Sequence, residues 1–295
     1  MNIFTPPPET EYNVLSLGAG VQSSALALMV AHGEISPLPD FAIFADTGAE
    51  PTEVYEWLET LRDLINAAPH PFPVYTVKKG SLEDDQLKVT ISAGKGTKPK
   101  GSEYVRKLIP MFGITASGEK SAAIGRSCTI DYKVKPINKY VKRVCNIPRN
   151  QKTPTVTMMI GISWDEIQRA KESKVKWSRN RWPLLEHRLT RAECIHWMYV
   201  HDYPVPPRSA CYFCPFHSDF EWRKMRNEDA PSFDKAVKFD AMLRQNVKEN
   251  DEFSHMDVYL HRSCKPLDQI DFDNDEDKGQ QTWDFQSECE GMCGV

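Results

Sequence analysis

Basic side chains are scarce in the first quarter of the chain. No lysine occurs between residues 1 and 77, and the formal net charge of the 295 residues is −4. The missing lysine excludes from this part of the chain a P-loop, whose Gly-Lys-Ser/Thr signature needs that side chain. The net negative charge supplies no global basic field, so any contact with nucleic acid must be local.

Long apolar runs are also missing. No run approaches the roughly 18 residues that a membrane span needs, and the first residues, "MNIFTPPPETEYN", lack the basic and apolar regions of a secretory signal. We therefore expect a cytoplasmic protein without membrane contact. In that compartment the eight cysteines are expected to be reduced thiols with metal or redox roles rather than a disulfide framework.

Strands and helices alternate along the first 80 residues. The apolar run at 13–17 predicts a buried strand, and the helical pattern after it ends at Gly33, which suits a helix C-cap. A second strand ends at Asp46 and precedes an amphipathic helix, and "FPVYTVKKG" predicts a third strand. This order predicts an α/β fold with an open, mostly parallel twisted sheet and helices on both faces.

The remaining chain predicts a less regular arrangement. Residues 92–120, rich in Gly, Lys and Ser, predict a mobile loop or lid, "TVTMMIGIS" predicts another strand, and Ser163 with Glu166 predicts the start of a helix. Two further helices are predicted at 218–228 and 231–249. We expect a nucleotide-binding α/β domain over residues 1–200 and a cysteine-bearing, helical C-terminal portion with a flexible tail over residues 201–295.

The stretch "LSLGAGVQSS" is a strand-to-helix turn with two glycines. Glycines let the backbone approach a phosphate, and the N–H groups at a helix N-terminus bind phosphate oxygens. Gly18, Gly20, Ser23 and Ser24 stand where such a cradle needs them. A dinucleotide fingerprint would need a glycine in place of Ser23, although Asp46 supplies its acidic residue. A turn of the same sequence that binds nothing is the alternative.

Two segments resemble one known superfamily. "GAGVQS" resembles the Ser-Gly-Gly-x-Asp-Ser pyrophosphate loop (PP-loop) of the adenine nucleotide α-hydrolases, which include ATP pyrophosphatases and phosphoadenosine phosphosulfate reductases, with Gly18 for the first Ser and Gln22 for the Asp. "IFADTGAEPTEVYEWLETL" resembles the Asp-Thr-Gly segment of the reductase branch. The resemblance implies a Rossmann-like fold that binds ATP or an adenylated sulfonucleotide with Mg²⁺, and Asp46 as a catalytic residue that orients the adenosine end or the Mg²⁺. The nucleotide-binding residues that it implies are Ser16, Gly18, Ala19, Gly20, Gln22, Ser23, Ser24, Asp46, Thr47, Gly48, Lys133 and Arg169.

The cysteines predict a metal centre. Cys211 and Cys214 form a C-x-x-C pair, which by itself does not fill a tetrahedral site. "RSCTIDYKVKPINKYV" resembles the segment that supplies cluster ligands in iron-sulfur reductases, with Ser127 where a second cysteine would stand. The resemblance implies a 4Fe-4S cluster on Cys128, Cys211 and Cys214, with zinc as the alternative because His217 offers a fourth zinc ligand. Cys145 and Cys194 are predicted to be core thiols.

The last residues, "SECEGMCGV", resemble the Glu-Cys-Gly tail whose thiol attacks the sulfonucleotide in the reductases. Cys289 is therefore predicted to be a catalytic nucleophile. Its neighbour Cys293 leaves two other roles open, a disulfide with Cys289 or a sulfur relay, and a tail without a role is a further alternative.

Three functions follow from these features. In the favoured one, ATP adenylates an acceptor such as a base of tRNA or DNA, and sulfur from the iron-sulfur centre replaces the activated oxygen. In the second, Cys289 attacks a sulfonucleotide and sulfite is released. In the third, the chain is a non-catalytic nucleotide-binding module. The expected partners are an adenine nucleotide, a nucleic-acid acceptor and a sulfur or electron donor protein, and a homodimer stays open.

Overall fold

The computed structural model of the protein describes residues 4–95, 97–251 and 255–273. The strands in this part of the chain are β1 Tyr12–Leu17, β2 Phe41–Asp46, β3 Val74–Lys78, β4 Val89–Ile91, β5 Glu103–Val105, β6 Met111–Thr115, β7 Lys120–Ile124, β8 Val156–Ile160, β9 Ser178–Arg181 and β10 Met256–Tyr259. The α-helices are α1 Val21–Ala31, α2 Thr52–Ala67, α3 Leu82–Leu87, α4 Lys135–Val144, α5 Pro183–Glu186, α6 Arg191–Val200, α7 Asp219–Glu228 and α8 Ala230–Asn250. A π-helix covers Thr129–Val134, and 3₁₀-helices cover Trp164–Arg169 and Leu267–Gln269. No helix in the described ranges is both long and apolar enough to cross a bilayer.

The chain divides into two compact units. The first contains the residues up to Lys79 and the segment Thr129–Ala210, and the second contains Gly80–Cys128 and the segment that begins at Cys211. Counting only the described residues, each unit is therefore built from two parts of the sequence that are far apart. These limits differ from the predicted boundary after residue 200, because residues 80–128 group with the C-terminal stretch.

A five-stranded sheet forms the first unit, in the order β3-β2-β1-β8-β9. Every neighbouring pair in it is parallel. Strands β1, β2 and β8 are buried along almost their whole length, as expected for a parallel sheet covered on both faces. The predicted α/β fold with an open parallel sheet is thus confirmed.

Helices cover both faces of this sheet. Leu15 and Phe44 pack in one core with α1, α2 and α6, whereas Val14 and Ile43 face a second core to which α4 contributes. Successive strand residues thus serve opposite faces, as the pleat requires. All eleven residues of α1 are buried. The helix ends at Ala31 with His32 as its C-cap, and Gly33, the predicted C-cap, follows with a φ of 81° and donates its amide hydrogen to the Val30 carbonyl.

The second unit contains the antiparallel sheets β10-β6-β7 and β4-β5. A mobile loop or lid was predicted over residues 92–120, but strands β5 and β6 and the first residue of β7 lie there, so the prediction of a loop was wrong at these strands. These strands are short and interrupted by glycine and lysine, and β6 finds its partner β10 far along the chain, which local periodicity does not reveal. The two helices predicted near 218–228 and 231–249 are confirmed as α7 and α8.

Candidate functional site

The glycine turn follows β1 at the carboxyl edge of the parallel sheet. Ala19 has a φ of 60°, a left-handed conformation that is uncommon outside glycine. Gly20 is the N-cap of α1 and adopts an extended conformation. The Ser23 hydroxyl accepts from the Gly18 amide at 3.2 Å and donates to the Gly20 carbonyl at 3.3 Å. One serine therefore ties the entry of the turn to its exit.

The first amides of α1 point out of the hydrogen-bond ladder of the helix. Within the described part of the chain, the amides of Val21, Gln22 and Ser23 have no hydrogen-bond partner, and the first bond of the helix runs from the Ser24 amide to the Gly20 carbonyl. These three N–H groups lie at the positive end of the helix dipole. They suit a phosphate, which offers several acceptor oxygens.

Gly161 holds the turn against β8. A Cβ at this position would lie 2.8 Å from the Ser23 Cα and 2.9 Å from its amide nitrogen, closer than real Cβ atoms approach backbone. Only glycine therefore fits where β8 ends beside the start of α1. The sequence interpretation did not single out this residue, because the contact joins segments far apart in the chain.

Gln22, which replaces the acidic residue of the resembled loop, binds the segment after β8. Its amide nitrogen donates to the Ser163 hydroxyl at 3.4 Å and to the Glu166 carboxylate at 3.3 Å, and its Oε1 is buried without a partner among the described residues. Glu166 also forms an ion pair with Arg169. Arg169, predicted as an anion ligand, is thus joined to the turn through a carboxylate and an amide.

Two serines that were predicted to bind nucleotide, Ser16 and Ser24, make contacts within the fold. The Ser24 hydroxyl accepts from the Trp57 indole at 2.9 Å, which ties α1 to α2. Ser16 is buried inside β1, between Ile43 of β2 and Ile160 of β8. Of the three serines, Ser23 is therefore the one whose hydroxyl bonds to the backbone of the glycine turn.

Asp46 ends β2, beside the turn along the same edge of the sheet. Its Oδ1 accepts from the Gly48 amide at 2.6 Å and from the Tyr55 hydroxyl at 2.8 Å, and its Oδ2 lies 3.0 Å from the Lys78 ammonium. Burial raises the pKa of this carboxyl, but the two donors and the ammonium outweigh it, so the pKa lies below its ordinary value. Asp46 is therefore a held, ionised carboxylate. Conversely, burial and Asp46 raise the pKa of the Tyr55 phenol.

A buried ion pair lies just beyond Asp46. The Lys133 ammonium is 3.7 Å from Glu50, and both side chains are almost fully buried. The hydroxyls of Thr47 and Ser209 donate to Glu50, each at 3.4 Å. Lys133, predicted as a nucleotide ligand, thus has a carboxylate beside it that compensates its charge.

The C-x-x-C segment forms a tight turn in the second unit. The Cys214 amide donates to the Cys211 carbonyl at 2.8 Å, and the His217 ring donates to the same carbonyl at 3.0 Å. The backbone amide of Cys128 donates a hydrogen bond to the Leu108 carbonyl. Among the residues that the structure describes, no three His, Cys, Asp or Glu side chains form a group that could hold a metal ion.

Among the described residues, Cys128, Cys211 and Cys214 are therefore not gathered into a metal-ligand group, and the cluster on these three thiols stays a prediction. No chemical step is derived through such a cluster. Cys145 and Cys194 are buried in the two cores, as predicted, and burial raises the pKa of the Cys145 thiol to about 11. Cys289 and Cys293 lie outside the described residues.

Sequence reasoning missed several polar groups around the site. Glu50 and Tyr55 stand four and nine residues after Asp46, within the segment that carried the resemblance, but their partners depend on how α2 and the π-helix pack. The spacing of Tyr55 on the first turns of a helix was the only signal for its contact with the preceding strand end. The contact between Lys78 and Asp46 comes from the strand register, because β3 pairs Lys78 directly with Asp46 of β2.

No protein-family model matches the chain, and no curated protein matches it. Among solved structures, the chain is similar to the U34-tRNA thiolase NcsA from Methanococcus maripaludis with its 4Fe-4S cluster. The identity is 12%, the TM-score is 0.40, and the match covers 80% of this chain and 73% of the thiolase chain. A similarity of this size establishes neither a family nor an activity.

Proposed function

We propose that the chain is an enzyme of the PP-loop type, in which the turn Gly18–Ser24 holds the phosphates of ATP or an adenylated sulfonucleotide. One observation carries the proposal: three amides at the start of α1 have no hydrogen-bond partner among the residues that the structure describes, and they lie at the carboxyl edge of a parallel sheet. In open α/β sheets, ligands bind at this edge. The left-handed Ala19 and the close approach of Gly161 support the proposal, because both fix the shape of the turn.

The reaction that fits this arrangement is adenylation. An acceptor oxygen attacks the α-phosphorus of ATP, the bond from that phosphorus to the bridging oxygen breaks, and pyrophosphate leaves with its charge on the turn. The amides of Val21, Gln22 and Ser23 would stabilise that charge without a proton transfer. The ionised Asp46 would orient the adenosine end or hold Mg²⁺, which prefers carboxylate oxygens.

The second half of the proposal is sulfur transfer. A sulfur nucleophile from a donor protein displaces AMP from the activated acceptor, forming a carbon–sulfur bond as the carbon–oxygen bond breaks. This half, the nucleic-acid acceptor and the iron-sulfur centre are proposed from the resemblance of "GAGVQS" and "RSCTIDYKVKPINKYV" to their counterparts in the superfamily. Cys289, the nucleophile of the alternative reductase reaction, lies outside the described residues.

Product analysis with a turn variant tests the proposal. The full chain is incubated with ATP and Mg²⁺, with and without nucleic acid, and pyrophosphate and AMP are measured. Ser23→Ala removes both hydrogen bonds that close the turn, and we expect it to weaken ATP binding by about thirtyfold, in line with roughly 1 kcal/mol for each of the two bonds. Ser178→Ala is the matched control, because Ser178 is buried at the amino end of β9, where its hydroxyl bonds to Ser173.

Equal loss of ATP binding in both serine variants would contradict the proposal. Release of sulfite from an adenylated sulfonucleotide would refute thiolation and support the reductase reaction instead. Absence of binding to either nucleotide by the wild-type chain would refute the whole assignment and leave a module without nucleotide chemistry.

A further inference from the structure

A groove in the first unit lies between the edge strand β3 and the π-helix with α4. It encloses about 580 Å³ and is lined by the end of β3, the linker residue Lys79, and one side of α4. Five of its lining side chains are basic, Lys78, Lys79, Lys135, Lys139 and Arg143. All five are exposed, so the groove concentrates positive charge on a chain whose net charge is −4.

Little negative charge offsets this concentration. Asp131 is the single carboxylate in the lining, and it lies 2.6 Å from Lys135. Lys78 faces Asp46 at 3.0 Å. Lys139 and Arg143, one helical turn apart on α4, have no ion-pair partner within the described ranges. A cluster of uncompensated cations attracts a polyanion, because a single small anion would neutralise only part of its charge.

The basic residues follow the helix rather than surround one point. Lys135, Lys139 and Arg143 are spaced at i, i+4 and i+8, which places them on one side of α4. The stripe spans about 12 Å along the helix axis, which corresponds to about three stacked nucleotides at 3.4 Å each. Its geometry matches a row of phosphates.

Aromatic rings stand at the same groove. Tyr140 lines it, and Tyr75 of β3 lies against Tyr140 with ring centroids 5.6 Å apart. Tyr75 is 41% exposed, and the Arg143 guanidinium lies 5.1 Å from the Tyr140 ring. Single-stranded nucleic acid binds to surfaces that combine cations for the phosphates with an exposed aromatic ring, here Tyr75, for a base.

We propose that this basic groove binds a single-stranded segment of nucleic acid, with its phosphates on the cations of α4 and a base on Tyr75 and Tyr140. The location of this groove was not predicted from the sequence. If the proposed adenylation holds, the segment bound in the groove belongs to the acceptor; binding itself does not rest on that reaction.

Fluorescence anisotropy on the full chain tests the groove. The probes are labelled RNA and DNA single strands of about 15 nucleotides and a duplex of the same sequence, without ATP. Lys139→Glu/Arg143→Glu is compared with Lys235→Glu/Lys238→Glu, which makes the same charge change at two exposed positions of α8. The groove variant should bind the single strand at least about tenfold more weakly, and its slope of log K against log salt should fall by about 1.4, because each phosphate contact contributes about 0.7.

A second variant tests the ring contact. Tyr75→Leu keeps an apolar side chain against Phe41, which Tyr75 contacts at 5.7 Å between centroids, but removes the stacking surface. We expect at least fivefold weaker binding with the salt slope unchanged, because stacking is not electrostatic. RNA and DNA arms then show which backbone the groove prefers.

Three results would overturn the proposal: no binding by the wild-type chain, equal loss in the groove and control variants, or binding of the duplex as tight as that of the single strand. The first would leave ATP binding by the turn untouched. Conversely, loss of ATP binding in Ser23→Ala with normal oligonucleotide binding would separate the two sites.

Discussion

Adding one methyl group at Gly161 is a sharp test of the turn. In Gly161→Ala the new Cβ would lie 2.8 Å from the Ser23 Cα, whereas ordinary contact begins at 3.4 Å. The start of α1 or the end of β8 must therefore move by about 0.6 Å. Neither moves easily, because every residue of α1 is buried and β8 is buried throughout.

The size of the effect follows from this misfit. Overpacking in a rigid core costs about 1–3 kcal/mol, which lowers the melting temperature by about 2–12 °C in a chain of this size. The strain acts on the backbone of Ser23, one of the three amides assigned to phosphate. We therefore expect ATP affinity to fall at least about tenfold, since the amide geometry changes along with stability.

The assay pairs isothermal titration with ATP and a thermal melt on the same samples. Gly113→Ala is the control, because its Cβ would also be crowded, at 2.6 Å from the Met256 sulfur and 2.8 Å from the Ser121 hydroxyl, but in the second unit. ATP affinity should be unchanged there. Wild-type affinity in Gly161→Ala, or equal loss of affinity in both variants, would refute the reasoning about the turn.

Three further predictions concern side chains around the turn. Gln22→Asp should destabilise the fold by about 1–3 kcal/mol in urea unfolding, because a buried carboxylate would replace the amide that donates to Glu166; unchanged stability would contradict this contact. Tyr55→Phe should raise the pKa of Asp46, because the carboxylate loses a hydrogen-bond donor, and NMR titration of the carboxyl group measures this pKa. The stability that comes from the ionised Asp46 is present above its unfolded pKa and is lost as pH falls through its folded pKa. In the variant this loss should therefore occur at a higher pH than in the wild type. Lys133→Met should cost about 3–5 kcal/mol by leaving Glu50 buried without its ammonium, whereas Lys133→Met with Glu50→Gln should recover most of the loss in the same unfolding assay.

The parallel sheet was predictable because its signals are local. Strands β1 and β2 are continuous apolar runs, the turn between β1 and α1 is marked by glycines, and parallel order follows from the helices between strands. The carboxyl edge then placed Gly18, Gly20 and Asp46 near one another without coordinates. The same reasoning located the end of α1 close to Gly33, which follows Ala31 and the C-cap His32.

The contacts that shape the site were not predictable, because they join distant segments. The fit of Gly161 against Ser23 needs β8 beside β1, and the Lys133–Glu50 pair needs the π-helix to meet the end of β2. Gln22 was read as a substitution in a loop, but the structure gives it a hydrogen-bonding role with Ser163 and Glu166. Such contacts depend on tertiary packing rather than on periodicity.

The cysteines show the opposite relation between sequence and structure. Their spacing, with Cys128 well ahead of the Cys211 and Cys214 pair, predicted a 4Fe-4S cluster with zinc as the alternative, yet the described side chains form no metal-ligand group. Spacing along the sequence suggests which thiols could share a metal, whereas a metal site also needs their side chains to meet at one point in the folded chain.

An amide NMR titration of the ¹⁵N-labelled chain with ATP tests phosphate binding by the turn most directly. We expect saturable shifts that are largest for the amides of Val21, Gln22 and Ser23, whose N–H groups have no partner among the described residues. Saturable ATP binding that leaves these three amides unshifted, with the changes elsewhere, would contradict it.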